Sequence, residues 1–179
     1  MNEYVALSNT VKGIAGNGGF CEVLAVPEEG VMNFPLISPD QTVTEEIQLY
    51  PGFSWNSYVI NSGSRAFSEE QSATKSGLLY TQVVSGRLYD QGSGNHILFN
   101  NMALHRWIVL VKERKTGLTY LIGKPDAAAY FSLKYDSSKG TVSEISFTNT
   151  SKYRALIYAP PVDSVPIGVF EDQFEDQFE

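Results

Sequence analysis

Apolar residues fall in short runs separated by turn residues, and the pattern is clearest in RWIVLVKERKTGLTYLIGKP, residues 106–125. Consecutive apolar positions in RWIVLVKER put side chains of both faces of a strand into apolar surroundings. KTG supplies a turn, with Gly117 able to take the left-handed conformation such turns demand. LTYLIG then returns antiparallel. Downstream, YFSLKYD (130–136) sets Phe131, Leu133 and Tyr135 on one face, SSKG makes another turn, and TVSEISFTN (141–149) sets Ile145 and Phe147 on one face. YRALIYAPP closes the series, with Pro160 and Pro161 ending it.

The first half is more broken. FCEVLAV (20–26), EEIQLY (45–50) and SWNSYVI (54–60) read as strands, the last two split by the turn Pro51-Gly52. Between them, residues 27–43 hold Pro27, Gly30, Pro35 and Pro39 and read as a long irregular connection or an arm. NSGSRAFSEEQSATKSG is polar and reads mostly as loop, with Ser68 and Gln71 spaced as a capping box for one helical turn. LLYTQVVSGRLY (78–89) is a strand with apolar residues on both parities. NHILFNNMALH (95–105) is the helix candidate, capped by Asn95, with Leu98 and Met102 four apart. Strands at roughly ten-residue spacing with turns between them predict a mainly β fold, an antiparallel sandwich or barrel with one short flanking helix.

Length adds a single domain, residues 1–160, followed by a tail, 161–179. The tail repeats FEDQ, which spaces Phe170, Phe174 and Phe178 four apart. That spacing keeps them on one face of a helix or of a strand. The readings are a solvated acidic tail, or an aromatic segment that docks on a neighbouring subunit. Of the formal charge of −7, residues 170–179 carry −5, so the rest of the chain carries −2. A nearly neutral body with an acidic tail argues against tight binding to phosphate backbones, which needs clustered Lys and Arg. One cysteine, Cys21, rules out an internal disulfide, and no run of residues reaches the length of a bilayer-spanning helix. A reducing cytoplasm is the expected place of synthesis.

Chemistry is sparse. His96 and His105 are the only histidines, nine residues apart, with no Cys or acidic partner at a zinc-ligand spacing. They are placed at the two ends of the helix, on its surface. Glu28-Glu29, Glu45-Glu46 and Glu69-Glu70 are adjacent pairs whose side chains diverge, so they make poor catalytic dyads and read as solvated surface. The glycines of GIAGNGG precede a strand, where a phosphate-binding loop would follow one. No catalytic, cofactor-binding or metal-ligating set is expected. Trp107 belongs in a core, whereas Trp55 and Tyr58 follow a turn and read as candidate rim aromatics of the kind that stack on sugars.

Residues 78–159 resemble small virion structural proteins of tailed bacteriophages infecting Bacteroidota. The features that carry the resemblance are LLYTQVVSGRL, a helix-like segment before RWIVLVKER, the KTG turn, YLIGKPDAAAYFSLKYDSSKG and EISFTNTSKYRALIY. The resemblance implies a non-enzymatic, ring- or tube-forming subunit of the tail or neck, of tail-tube, tail-terminator or neck-ring type. It implies residence in the virion, with copies of itself and neighbouring virion proteins as partners, no membrane, and only passing, non-specific contact with DNA in a lumen. In that frame the charged rim of the opening hairpin, Arg106, Lys112 and Arg114 among them, would set register with a neighbour. Phe170, Phe174 and Phe178 would dock on one, and residues 27–43 would serve as an arm. The plainer reading of the hairpin is a core element. The alternative for the whole chain is a monomeric ligand- or carbohydrate-binding β-sandwich module.

Overall fold

The strand Arg106–Glu113 organises the fold, because five consecutive residues of it, Trp107 to Val111, are buried. The computed structural model describes residues 20–58, 60, 62–75, 77–89, 93–136, 142–162 and 167–168. Cys21 and His96 are placed there by backbone alone, and the SSKG turn and Phe170, Phe174 and Phe178 lie outside the described residues.

Strands are numbered along the chain: β1 Phe20–Pro27, β2 Val31–Asn33, β3 Thr42–Val43, β4 Gln48–Leu49, β5 Trp55–Ser57, β6 Ala66–Thr74, β7 Gly77–Tyr89, β8 Arg106–Glu113, β9 Thr119–Ile122, β10 Ala129–Asp136, β11 Val142–Ser151, β12 Leu156–Tyr158 and β13 Ile167–Gly168. The helix, α1, is Ser93–Leu104. β2 and β4 pair as a separate ribbon, and the other eleven strands form one sheet. Its main path runs β13-β5-β1-β8-β10-β11-β7-β6, and a branch leaves β8 through β9 to β12 and β3. The fold is therefore mainly β, sandwich- or barrel-like without closing, with one short helix. The long pairings are antiparallel, and two short ones, β3 with β12 and β5 with β13, are parallel.

β1 and β8 lie side by side in antiparallel register, and each presents a different core on either face. Val23, Ala25, Trp107, Val109 and Val111 point into one core. Leu24, Val26, Ile108 and Leu110 point into the other. The alternation of a strand makes this division automatic once both faces are covered. In the first core Phe147 receives three aromatic rings edge-on: Tyr58 at 5.6 Å, Trp107 at 6.0 Å and Phe131 at 5.3 Å. α1 closes this core through Phe99, stacked on Phe131, and through Met102, whose carbonyl accepts the Trp107 indole N–H at 2.8 Å. The second core is built from Trp55, Tyr158, Val43, Ile47, Leu121 and Leu156 around the even positions of β8.

The branch has a local cause. Ile122 of β9 faces Val109, and Ala129 of β10 faces Trp107, so residues 123–128 stand opposite Ile108 alone. This is a bulge large enough to hand the chain from one half of the sheet to the other. Gly123 makes it possible: its φ is +82°, and a Cβ there would lie 2.9 Å from the Trp107 carbonyl oxygen and 3.1 Å from the Ala129 nitrogen. Lys124 and Ala127 exchange backbone hydrogen bonds across the bulge, and the Asp126 N–H donates to Glu28 Oε1 at 2.7 Å.

Several readings change. NSGSRAFSEEQSATKSG is not mainly loop, and Ser68 starts no helical turn. Residues 66–74 pair with β7 in unbroken register from Ala66–Ser85 to Thr74–Gly77. Nine residues of cross-strand bonding outweigh a capping pattern worth about 1 kcal/mol. Trp55 and Tyr58 are not rim residues, being 1% and 8% exposed in separate cores. Burial pushes the Tyr58 hydroxyl well above its usual titration range. Residues 27–43 lie along the body. Val43 is buried, and the Gln41 and Val43 carbonyls accept the Ile157 and Ala159 N–H groups. Among the large hydrophobic residues of that stretch, Leu36 is almost wholly exposed, at 93%.

Gly123→Ala is expected to destabilise the protein by about 2–4 kcal/mol, combining left-handed strain with a clash against rigid backbone. Gly52 also has positive φ but has open space around its Cβ position, so Gly52→Ala should cost only about 1 kcal/mol. Urea denaturation of both variants measures the difference, and equal losses would remove the close approach as the reason for the glycine.

Candidate functional site

The two branches of the sheet diverge at the Gly123 bulge and come near each other again where β6 passes β9 and the segment leading into β12. They do not join by backbone ladder. A cleft of about 390 Å³ remains, with Phe67 and Glu69 of β6 on one side and Tyr120, Arg154, Ala155 and Ile157 on the other. Asp40 and Gln41, from the turn before β3, close one end. That turn is held by Ser38, whose hydroxyl bonds both the Asp40 carboxylate and the Thr42 carbonyl. Gln41 takes a left-handed φ of 62° there.

Side chains bridge the seam instead. Glu69 Oε1 accepts Arg154 Nε at 2.7 Å, and Oε2 accepts the Ala155 backbone N–H at 2.6 Å. Gln82 Nε2 donates to Glu69 Oε2 at 3.3 Å and to the Tyr153 carbonyl at 3.1 Å, while Gln82 Oε1 accepts Asn149 Nδ2 at 3.1 Å. Gln82 and Asn149 are buried. Buried amides need such complete pairing, because each unpaired polar group would lose its water without compensation. The chain Asn149–Gln82–Glu69 therefore ties three neighbouring strands, β11, β7 and β6, to residues 153–155 of the other branch. The Arg154 side chain is 69% exposed beyond this clamp, and the Glu69 side chain only 13%. Glu69 also strengthens the hold of Arg154 on its proton through hydrogen bonding and charge. Beside them the Phe67 and Tyr120 rings lie 5.2 Å apart at 33°. Burial, with the Glu113 carboxylate nearby, raises the Tyr120 hydroxyl above its usual range.

A wider, open hollow of about 580 Å³ lies against the β2–β4 ribbon, lined by Met32, Asn33, Glu45, Ile47, Tyr50 and Phe53 among others. Its half-exposed Met32 and Tyr50 are apolar surface without an assigned occupant.

The hairpin residues singled out from sequence do not converge. Arg106 lies at the start of β8 with its guanidinium 3.7 Å over the Tyr130 ring. Lys112 is half-buried, in register with Glu22 and Thr119, and Arg114 is half-buried in the following turn. Arg106 and Lys112 are six strand steps apart, a span of about 20 Å. β8 pairs with β1 along one edge and with β9 and β10 along the other, only Ile108 standing opposite the bulge, so this stretch offers no open edge to a neighbour. The hairpin is a core element.

His105 follows α1 with its Nδ1 2.5 Å from Glu29 Oε1 and its ring edge-on to Trp107. Among the described residues no group of three or more His, Cys, Asp or Glu side chains is placed to hold a metal ion, and no helix is long and apolar enough to cross a membrane. Sequence reasoning set Glu69 aside as solvated surface and missed the clamp. The available signal was polar Gln82 two residues before buried Val84 on the inward parity of β7. Comparisons with protein-family models, curated proteins and solved structures found no match.

Glu69→Ala strands the Ala155 N–H and one Gln82 donor at the seam, and a loss of about 2–3 kcal/mol is expected. Arg154→Ala removes only an exposed partner and should cost less than about 1 kcal/mol. Denaturant midpoints of both variants compare the two, and a larger loss for Arg154→Ala would move the weight of the clamp from the buried acceptor to the ion pair.

Proposed function

We propose that the chain is a non-enzymatic virion structural protein, a ring- or tube-forming subunit of the tail or neck of a tailed bacteriophage. One observation carries this reading: the outer edge of β6 has no strand partner among the described residues. β6 is nine residues long and its register with β7 is free of bulges. Residues 70–75 are all exposed, and the hairpin reaches past the last pairing of β7 with β11, at Tyr80. Long unprotected edges invite pairing with another chain, and natural proteins blunt them with proline, lysine or bulges. AFSEEQSAT contains no proline and no lysine, and only Glu69 and Glu70 carry charge.

Main-chain addition to that edge supplies affinity without reactive groups. A ring needs a heterologous contact, in which the β6 edge meets a different surface of the next copy. β13, at the opposite end of the sheet path, is the natural complement. The acidic balance of the sequence favours only passing contact with DNA in a lumen. Synthesis in the host cytoplasm followed by residence in the virion completes the reading. A monomeric ligand-binding module is the reading that replaces it if the chain does not associate.

Light scattering after size exclusion, with negative-stain microscopy, is expected to find assemblies larger than one chain, at least at raised protein concentration. Gln71→Pro, placed on the exposed edge, should reduce association at least tenfold while leaving the thermal transition within a few degrees. A strictly monomeric wild type over the whole concentration range, alone and with neighbouring virion proteins, would remove the assembly role.

A further inference from the structure

The cleft at the seam has the make-up of a ligand site, and its polar groups restrict what it can take. One wall is aromatic, with the Phe67 and Tyr120 rings packed against each other at 5.2 Å and 33°. The rim alternates in sign. Asp40 stands at one end, Glu69 lies in the wall, and Arg154, mostly exposed, is held to Glu69 through its Nε. Holding Arg154 by Nε leaves its two terminal nitrogens on the exposed side of the contact, as a ready fork of donors. Gln41 offers an amide on a backbone turned left-handed at the cleft mouth.

A small anion reaching Arg154 meets the Asp40 and Glu69 carboxylates. A small cation reaching those carboxylates meets the guanidinium. A neutral hydroxyl suffers from neither, since it donates to a carboxylate and accepts from a guanidinium at once. Pyranose rings combine such hydroxyls with an apolar C–H face that packs on aromatic side chains. The volume of about 390 Å³ lies in the range of small-molecule sites, roughly 300–1,000 Å³.

From this juxtaposition we infer that the seam cleft binds a neutral saccharide of one or two rings, packed against the aromatic pair Phe67–Tyr120 and hydrogen-bonded by Asp40, Gln41 and Arg154. The site is independent of the assembly reading and compatible with it. Its wall uses the proximal part of β6, Phe67 and Glu69, whereas the part that projects for pairing is Glu70–Thr74. A subunit of an assembly would thus carry a sugar-binding site beside each pairing edge.

The test is amide-resolved NMR titration of the full chain with glucose, galactose, mannose, N-acetylglucosamine and lactose, with sodium acetate and methylammonium chloride as charged probes. At least one sugar should give saturable shifts at Gln41, Tyr120, Arg154 and Ala155, with millimolar or tighter affinity, and the charged probes should give none there. Asp40→Ala, at an exposed position, and Tyr120→Leu, which keeps apolar bulk, should each weaken binding at least tenfold. Tyr135→Ala, on exposed surface of β10, should leave it unchanged. Three results would each overturn the inference: no saturable sugar shifts at the cleft, shifts that persist unaltered in Asp40→Ala, or preferential response of the cleft to acetate or methylammonium.

Discussion

Everything else in this protein follows from one strand having to serve two cores. β8 buries both faces from Trp107 to Val111 and pairs along both edges. A strand in that position cannot end one layer and begin another by itself, so its neighbours must divide. They divide at the bulge of residues 123–128, where Gly123 brings the chain against the Trp107 carbonyl at a distance no other residue tolerates. β9 then continues into one branch and β10 into the other. Each branch wraps the core on its own side, and the large aromatic side chains sort between them by parity alone.

Dividing the sheet leaves a seam where the branches meet again. Closing it with a backbone ladder would make a barrel, but the strands there are out of reach of one another, and the closure is made by Glu69, Gln82 and Asn149. Side-chain closure has a different physical character from a ladder. It fixes the distance between the branches through a few charge-assisted and amide hydrogen bonds, and it leaves volume beside them. The cleft is that volume, and its mixture of aromatic face and alternating charge follows from the clamp lying at its edge.

The same geometry leaves the β6–β7 hairpin as the outermost part of the main path. Its proximal half is anchored by Phe67 and Glu69, and its distal half extends past β11 with both faces in solvent. Stability of the body and availability of the edge are thus separated along a single strand. The proximal residues carry the tertiary contacts, and the distal ones are left with main-chain bonding groups on their outer side.

Local pattern alone determined β1, β7, the β8–β9 hairpin with its turn at Gly117, the helix, and the inward parity of Phe131, Ile145 and Phe147. Each of these is encoded by residues within one or two turns or strand repeats of one another. The same pattern misassigned β6, because AFSEEQSAT has weak strand propensity and becomes a strand only through β7, which lies next to it in space. It put Trp55 and Tyr58 on a rim, because turn proximity says nothing about what folds over a residue later. The tertiary structure alone decided the two-core division, the bulge at Gly123 and the cleft. Glu69 and Arg154 are 85 residues apart, and nothing local to either marks the other as its partner. Periodicity records which face a residue occupies, whereas contact across the seam depends on how the whole sheet curves.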